Sequence, residues 1–217
     1  MSEKTVYLDN NATTMVDPQV FEAMKPYFCD LYGNPSSMHE FGGQVMHAVD
    51  KAREQVKDFL GARDAKEIIF TASGSEGDNM AIRGVLEANK NKKHIITTKI
   101  EHPAVLNVYK YLEKQGYDVT YLDVDSKGNL DLNQLAESIT DETALVSIMY
   151  ANNETGVILP VEKAAKIVKA KNPKIKFHSD AVQAAGKIPL DVKNTDIDLL
   201  TIAGHKKHAP KGIGALF

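Results

Sequence analysis

The sequence of 217 residues predicts an α/β fold, built on a mostly parallel, doubly wound sheet with helices on its faces. From about residue 66 onward, short apolar runs alternate with amphipathic helical segments, which is typical of parallel strands joined by crossover helices. Small and polar residues follow several of these runs, where ligands bind in such sheets. A hydrophobic fraction of 43% is enough for a sizeable core.

Residues 1–65 are predicted to form an N-terminal helical arm. Asp17 is placed to cap a helix that begins at Pro18, because proline is well tolerated at the first helical position. The segment Tyr32-Gly-Asn-Pro-Ser-Ser37 has the composition of a loop. A longer helix is expected from about residue 39 to residue 60, and Gly61 would end it.

Residues 66–217 are predicted to form an incomplete α/β domain. Strands are expected at residues 66–71, 94–98, 119–123, 144–150, 175–178 and 199–202, and helices at 75–89, 103–115, 131–138 and 161–170. The final segment, Gly212-Ile-Gly-Ala-Leu-Phe217, resembles the first strand of a hairpin without its partner. Because an unpaired apolar strand is an exposed edge, we expect either a fragment or an edge that something else covers.

Composition excludes several classes of function. The net charge of −3 comes without blocks of like charge, so nothing points to nucleic acid or to an anionic membrane surface. No apolar run approaches membrane-spanning length, and the N-terminus lacks a signal peptide's apolar stretch. The single cysteine, Cys29, excludes an internal disulfide framework, is expected to be buried, and fits a cytoplasmic protein. The histidine spacing predicts no metal site.

Lys206 is the candidate catalytic residue. It follows a strand-like run and lies among small residues, in Gly204-His-Lys-Lys-His208. Burial in a cleft would lower its pKa and free a nucleophilic amine, although a solvated Lys206-Lys207 pair explains the same residues. About 20 residues upstream, Asp180 ends another strand-like run. A lysine Schiff base and an aspartate on a pyridinium nitrogen are the minimal protein apparatus for pyridoxal phosphate (PLP).

Three other loops carry candidate binding residues, each with a plainer explanation. Thr71-Ala-Ser-Gly-Ser-Glu-Gly-Asp-Asn79 could hold a phosphate, with Ser75 as helix cap, or it could be a simple capping box. His102 could stack on a cofactor ring and move protons, or it could be a solvated loop histidine. Ala151-Asn-Asn-Glu-Thr-Gly156 could be only a turn. Together with Lys206 and Asp180, these loops would supply phosphate, ring and aldehyde partners for a single ligand.

With these residues, the chain resembles the cysteine desulfurases of the NifS/IscS type, within the class V aminotransferase group of PLP enzymes. The resemblance runs from Tyr7-Leu-Asp-Asn-Asn-Ala-Thr-Thr14 to Phe217, and includes Glu101-His-Pro-Ala-Val105 and His178-Ser-Asp-Ala-Val-Gln183. It implies the large domain of a type I PLP-dependent transferase, truncated before the C-terminal domain. It also implies a homodimer that converts L-cysteine to L-alanine and passes persulfide sulfur to an acceptor protein, for iron–sulfur cluster assembly or thiolation.

The resemblance implies roles around the cofactor ring. Lys206 would form the Schiff base and shuttle protons, and His102 would stack over the ring and assist proton transfer. Asp180 would keep the pyridinium nitrogen protonated. Gln183 would hydrogen-bond the phenolic oxygen, with Asn153 near that oxygen and near the substrate carboxylate.

The resemblance also implies a phosphate site, formed by Gly74, Ser75 and His205. Family members usually carry a serine that contacts phosphate where this chain has Ala203, so one phosphate donor is lost. Lys207 stands where an apolar residue is common.

The family is nearly twice as long as this chain. Its persulfide-forming cysteine and a substrate-binding arginine belong to the part beyond the Schiff-base lysine, and Cys29 does not correspond to that cysteine. The resemblance therefore implies a truncated desulfurase with little turnover alone. Two alternatives remain open: a class V aminotransferase or lyase that needs no cysteine, and a non-catalytic module that pairs with a separate chain.

Overall fold

The computed structural model describes residues 5–217, so the first four residues of the predicted arm lie outside the described residues. The helices are α1 (Pro18–Met24), α2 (Pro26–Cys29), α3 (Glu40–Leu60), α4 (Gly74–Ala88), α5 (Pro103–Lys114), α6 (Leu132–Ser138) and α7 (Val161–Lys171). The strands are β1 (Ile69–Thr71), β2 (His94–Thr98), β3 (Asp118–Leu122), β4 (Thr143–Ser147), β5 (Lys176–Asp180), β6 (Leu199–Ala203) and β7 (Gly214–Leu216).

The seven strands form one sheet in the order β1-β7-β6-β5-β4-β2-β3. Strands β3, β2, β4, β5 and β6 run parallel to one another, and β7 is antiparallel to both of its neighbours. The predicted mostly parallel sheet is therefore confirmed. Because β1 and β6 are both antiparallel to β7, the carboxyl ends of β1, β2, β4, β5 and β6 lie along the same edge.

The expectation that the last strand lacks a partner is wrong. Ala215 pairs with Phe70 of β1 on one side and with Ile202 of β6 on the other, and all of β7 is buried. The partner on one side comes from far earlier in the chain, and a pairing across that distance leaves no local signal in the sequence. The apolar strand is thus inside the sheet and is not an exposed edge.

Two predicted strand boundaries also change. Residues 66–71 were expected to be extended throughout, but Ala65–Glu67 forms a 3₁₀ turn and β1 begins only at Ile69. The reason is a local cap, since the Asp64 carboxylate accepts from the Lys66 backbone N–H at 2.9 Å. Strand β4 ends at Ser147, and residues 148–150 leave the sheet toward its functional edge.

The core lies on both faces of the sheet. On one face, α4 and α5 cover side chains such as Ile95 and Leu145. On the other face, α7 and the last turn of α3 cover Ile96 and Val146. Neighbouring residues of the same strand therefore point to opposite faces, as the pleat requires, and both faces are buried.

The N-terminal helices follow the predicted caps but form little core. The Asp17 carboxylate accepts from the Gln19 N–H at 2.7 Å, and Gly61 ends α3 in the left-handed conformation with φ of 67°. The expectation that Cys29 is buried is wrong, because the described fold leaves its helix face uncovered and the thiol is exposed. The boundary at residue 65 remains a prediction. Within residues 5–217, every helix is too short or too polar to cross a bilayer.

Candidate functional site

A cavity of about 230 Å³ opens at the carboxyl edge of the parallel strands. Its lining includes every residue that the sequence marked as a candidate: Gly74, Ser75, His102, Asn153, Asp180, Gln183, Ala203, His205 and Lys206. They meet there because each follows, or ends, a strand whose carboxyl end lies on this edge. The structure therefore brings these residues together around one cavity, and their roles there remain predictions.

Lys206 ends the 3₁₀ turn Gly204–Lys206 that follows β6. Its Nζ donates to the backbone carbonyl oxygens of Asn11 and Ala12, the latter at 2.8 Å. Burial first, and then the positive charge of Lys187, lower the pKa of Lys206 below its ordinary value, while Asp180 opposes this shift. The lowered pKa favours the neutral, nucleophilic amine that the sequence predicted.

Asp180 is the last residue of β5 and is buried beneath the cavity. Its Oδ1 accepts from the Val182 backbone N–H at 2.9 Å. Burial raises the pKa of Asp180 above its ordinary value, and the Val182 N–H and then His102, Lys207 and Lys206 oppose this shift. The carboxylate is thus buried, but it faces several groups that favour its negative charge.

The N-terminus of α4 forms one end of the cavity, and the residue that caps it is Ser73, where Ser75 had been expected. Ser73 Oγ accepts from the Glu76 N–H at 3.1 Å, and the Glu76 carboxylate accepts in turn from the Ala72 N–H. Ser75 lies in the first helical turn, with Gly74 before it. The free N–H groups of this turn and the helix dipole suit an anion such as phosphate.

A side chain at position 74 would not fit. A Cβ built on Gly74 would lie 2.9 Å from Val182 Cγ2 and 3.4 Å from Ala203 Cβ. Close packing of the start of α4 against Val182, which follows β5, therefore favours glycine at this position.

The polar side chains on the far side of the cavity are held by their neighbours. His102 Nδ1 accepts from the Ala104 N–H at 3.1 Å and so caps α5. Gln183 Nε2 donates to the Asn11 carbonyl at 2.8 Å, and its Oε1 accepts from Lys187 Nζ at 2.9 Å. Neither side chain swings freely in the cavity.

The structure adds an N-terminal segment to the site that residue-by-residue reasoning missed. Thr13 Oγ1 lies 3.2 Å from His205 Nδ1, and Thr14 Oγ1 donates to the His205 carbonyl at 2.9 Å. Thr14 Oγ1 also accepts from the His208 N–H at 2.8 Å. The available signal was the polar run Asp9-Asn-Asn-Ala-Thr-Thr14, which shows no helical or strand period.

His208 shows how closely this segment clamps the lysine loop. It adopts a left-handed conformation with φ of 58°, the only such non-glycine residue among those described. Its backbone N–H donates to Thr14 Oγ1, and its carbonyl oxygen accepts from the Asp17 N–H. Its Nδ1 lies 3.0 Å from the Met15 carbonyl oxygen. These contacts hold a conformation that is costly for any residue with a side chain.

Two buried carboxyl groups were also missed, Glu101 and Asp78. Glu101 Oε1 accepts from the Met149 N–H at 2.7 Å and from Thr98 Oγ1 at 2.9 Å. It thereby ties the loop that carries His102 to the segment after β4. Burial raises the pKa of Glu101 to about 8. Neither residue was expected to be buried, because acidic residues beside loops are usually solvated.

The residues around the cavity fit a phosphorylated aldehyde cofactor such as PLP. The α4 N-terminus suits a phosphate, Lys206 presents an amine of lowered pKa, and Asp180 presents a buried carboxylate at the base. Among residues 5–217, no cluster of three or more histidine, cysteine, aspartate or glutamate side chains is arranged to hold a metal ion.

Comparison with known proteins identifies similar chains. A family model described as "Aminotransferase class-V" matches residues 6–217. A cysteine desulfurase of Nostoc sp. (strain PCC 7120) is 64% identical over 212 residues, which cover 98% of this chain and 52% of that protein. The cysteine desulfurase NifS of Azotobacter vinelandii is 52% identical over 212 residues, which also cover 98% of this chain and 52% of that protein. The chain therefore spans about half the length of the curated relatives it matches.

Solved structures agree with this comparison. A structure described as a NifS-like protein superposes with a TM-score of 0.95 at 45% identity, covering 98% of this chain and 58% of that one. A structure of SspA in complex with cysteine superposes with a TM-score of 0.94 at 41% identity, covering 98% and 61%.

Proposed function

The chain belongs to the aminotransferase class-V family, and from this premise we propose that it is the PLP-binding half of a cysteine desulfurase. The complete protein would convert L-cysteine to L-alanine and keep the sulfur as an enzyme-bound persulfide. The observation that carries the proposal is the convergence of Lys206, Asp180 and the α4 N-terminus on one cavity. The similarity to proteins named cysteine desulfurase over 98% of this chain supports the choice of reaction.

When bound, PLP supplies an aldehyde for an amine and an electron-accepting ring that stabilises negative charge on the substrate. Lys206 would hold the aldehyde end, and its lowered pKa favours the neutral, reactive form of the amine. Lys206 Nζ would also take the proton from the substrate α carbon. The carbonyl oxygens of Asn11 and Ala12 orient this amine in the chain as described.

The remaining side chains would position the ring. Asp180 would accept a hydrogen bond from the ring nitrogen and hold the proton there, because an anion at that place favours the protonated nitrogen. His102 would cover one face of the ring, and Gln183 would donate to its phenolic oxygen. Asn153 would lie near that oxygen and near the substrate carboxylate.

The phosphate would be held by Gly74, Ser75 and His205. Ala203 lines the same cavity but carries no hydroxyl group, so its side chain donates no hydrogen bond. We therefore expect weaker phosphate binding than a serine at this position would give. Replacing Ala203 with serine should tighten PLP binding in proportion to one added hydrogen bond.

The cysteine that would form the persulfide is proposed to lie outside this chain. Cys29 is exposed on α2 and is not among the residues that line the cavity. We infer that the chain alone turns over little cysteine, and that the complete protein is a cytoplasmic homodimer that delivers sulfur to an acceptor protein.

Titration of the purified chain with PLP, followed by the absorption of bound PLP, tests the proposal. We expect saturable binding by the wild-type chain and at least tenfold weaker binding by Lys206→Ala. The exposed Lys211→Ala is the matched control and should bind normally. Failure of the wild-type chain to bind PLP would favour the non-catalytic module.

An assay of keto acid formation separates the two enzyme hypotheses. The PLP-loaded chain is incubated with L-cysteine or with other amino acids, together with a second keto acid that accepts the amino group, because transamination otherwise stops after one turnover. A cysteine desulfurase half should form no keto acid from alanine, serine or glutamate. Steady keto acid formation from any of these would favour an aminotransferase that needs no cysteine.

A further inference from the structure

Asp78 is a buried carboxyl group to which the proposed function assigns no role. It lies on α4, lines the cavity and is 1% exposed. Neither carboxylate oxygen has a hydrogen-bond partner among the described residues. An ionised carboxylate in such a place is strongly unfavourable, since almost none of its surface is accessible to solvent and no described residue donates a hydrogen bond to it.

The groups that face Asp78 supply no positive charge. His178 Nε2 on β5 lies 3.6 Å from Asp78 Oδ1, but the two ring nitrogens already contact the hydroxyls of Ser147 and Thr201 at 2.8 and 3.0 Å. Burial lowers the pKa of His178 to about 3, so the ring is neutral. The other titratable neighbours are the carboxyl groups of Asp180 and Glu101.

The hydroxyl of Thr201 does not change this conclusion. It lowers the pKa of Asp78 by its proximity, yet it makes no hydrogen bond of acceptable geometry with either carboxylate oxygen. Burial first, and then the negative charge of Asp180, raise the pKa of Asp78 well above its ordinary value. Burial and charge therefore act in the same direction.

Asp180 differs from Asp78 in its partners. Burial raises its pKa as well, but its Oδ1 accepts from the Val182 N–H at 2.9 Å, and that bond and then the charges of His102, Lys207 and Lys206 oppose the shift. When two nearby carboxyl groups compete for a proton, the group with fewer compensating partners retains it.

We propose that Asp78 is a neutral carboxylic acid in the native fold, and that it acts as a positioning residue which leaves Asp180 as the anionic member of the pair. The use of the anionic Asp180 as partner of the cofactor's ring nitrogen rests on the proposed function. The protonation of Asp78 does not, because it can be measured on the chain without any cofactor.

Infrared spectroscopy at neutral pH tests this directly. A chain labelled with heavy-carbon aspartate should show an isotope-shifted band of a protonated carboxylic acid, and Asp78→Asn should remove it. Asp125→Asn is the matched control, because hydrogen bonds from Asn129 lower the pKa of that exposed carboxylate and keep it ionised. The labelling separates the band from that of Glu101. Absence of an isotope-shifted acid band in the wild-type chain would overturn the proposal, even if Asp78→Asn did not fold.

Denaturation at several pH values gives a second readout. Between the pKa of an unfolded aspartate, about 4, and the raised folded pKa, the native state binds more protons, so stability falls as pH rises. Asp78→Asn should lack this component, with a change in slope of about one proton per molecule. Equal slopes in the two chains would contradict the proposal. Failure of PLP binding would leave both measurements unaffected and would count against the proposed function alone.

Discussion

The N-terminal arm and the sheet domain use apolar residues in opposite ways. Among the described residues, twelve exposed large apolar side chains lie between Val6 and Phe59, whereas the rest of the chain exposes five. Beyond the arm, buried side chains form continuous clusters on both faces of the sheet, and Leu60 is the arm's main contribution to them. Buried apolar side chains therefore stabilise the sheet domain, whereas most of the arm has no comparable apolar core.

Besides the apolar packing of the last turn of α3, polar contacts attach the arm to the sheet. Thr14 is 4% exposed and bonds to His205 and His208, and the Asp17 N–H donates to the His208 carbonyl at 2.9 Å. These contacts lie on the loop that carries Lys206. The comparison indicates that the sheet builds the site and that the arm fixes the lysine loop within it.

The largest expected effect is the difference in stability loss between removing an aromatic ring from the sheet domain and removing one from the arm. Phe177→Ala removes a fully buried ring from β5 and should lower the free energy of unfolding by about 3–5 kcal/mol. Phe28→Ala removes a ring that is 67% exposed on α2 and should change it by less than about 0.5 kcal/mol. Chemical denaturation of both variants measures the difference. A large loss in Phe28→Ala would show that the arm has a core of its own.

The next effect concerns Lys207, a partly buried residue whose Nζ donates to the Ala203 carbonyl oxygen at 3.3 Å. Burial first, and then Lys187, lower the pKa of Lys207 to about 8. Because an unfolded lysine has a pKa of about 10.4, the native state binds fewer protons between these values, and stability should rise across that range. Lys207→Met should remove this dependence and add about 1–3 kcal/mol at neutral pH.

Denaturation of the wild-type chain and Lys207→Met at pH values from about 7 to 10 checks this sign. Lys174→Met, at an exposed position, is the control and should leave the pH dependence unchanged. A Lys207→Met chain that loses stability at neutral pH would mean that the buried amine is favourable where it lies.

The smallest effect concerns the attachment of the arm. Thr14→Val removes a hydroxyl that donates to the His205 carbonyl and accepts from the His208 N–H, and should cost about 1–2 kcal/mol. The loss should be local, so hydrogen exchange at the His208 amide should accelerate while the amides of β5 stay protected. Thr5→Val, at an exposed position, should change neither rate. Unchanged exchange at the His208 amide in Thr14→Val would show that the arm does not stabilise the lysine loop.

Local sequence predicted most of the fold, and it placed Gly74, Ser75, His102, Asn153, Asp180 and Lys206 after strands, where they line the cavity. The alternation of apolar runs and helices located the parallel strands, and residues directly after those strands meet because parallel strands end on one edge. The pairing of β7 with β1 and the contact of Thr14 with the lysine loop were not predictable, because both join distant segments. The cap at Ser73 was missed because Ser75 offers the same side chain two residues later.

Reduction of the PLP-treated chain with borohydride, followed by peptide mass spectrometry, tests the central claim most directly. We predict one pyridoxyl group per chain, attached to Lys206, and none in Lys206→Ala. Attachment to Lys187 or Lys207, labelling spread over surface lysines, or no attachment at all would contradict the account.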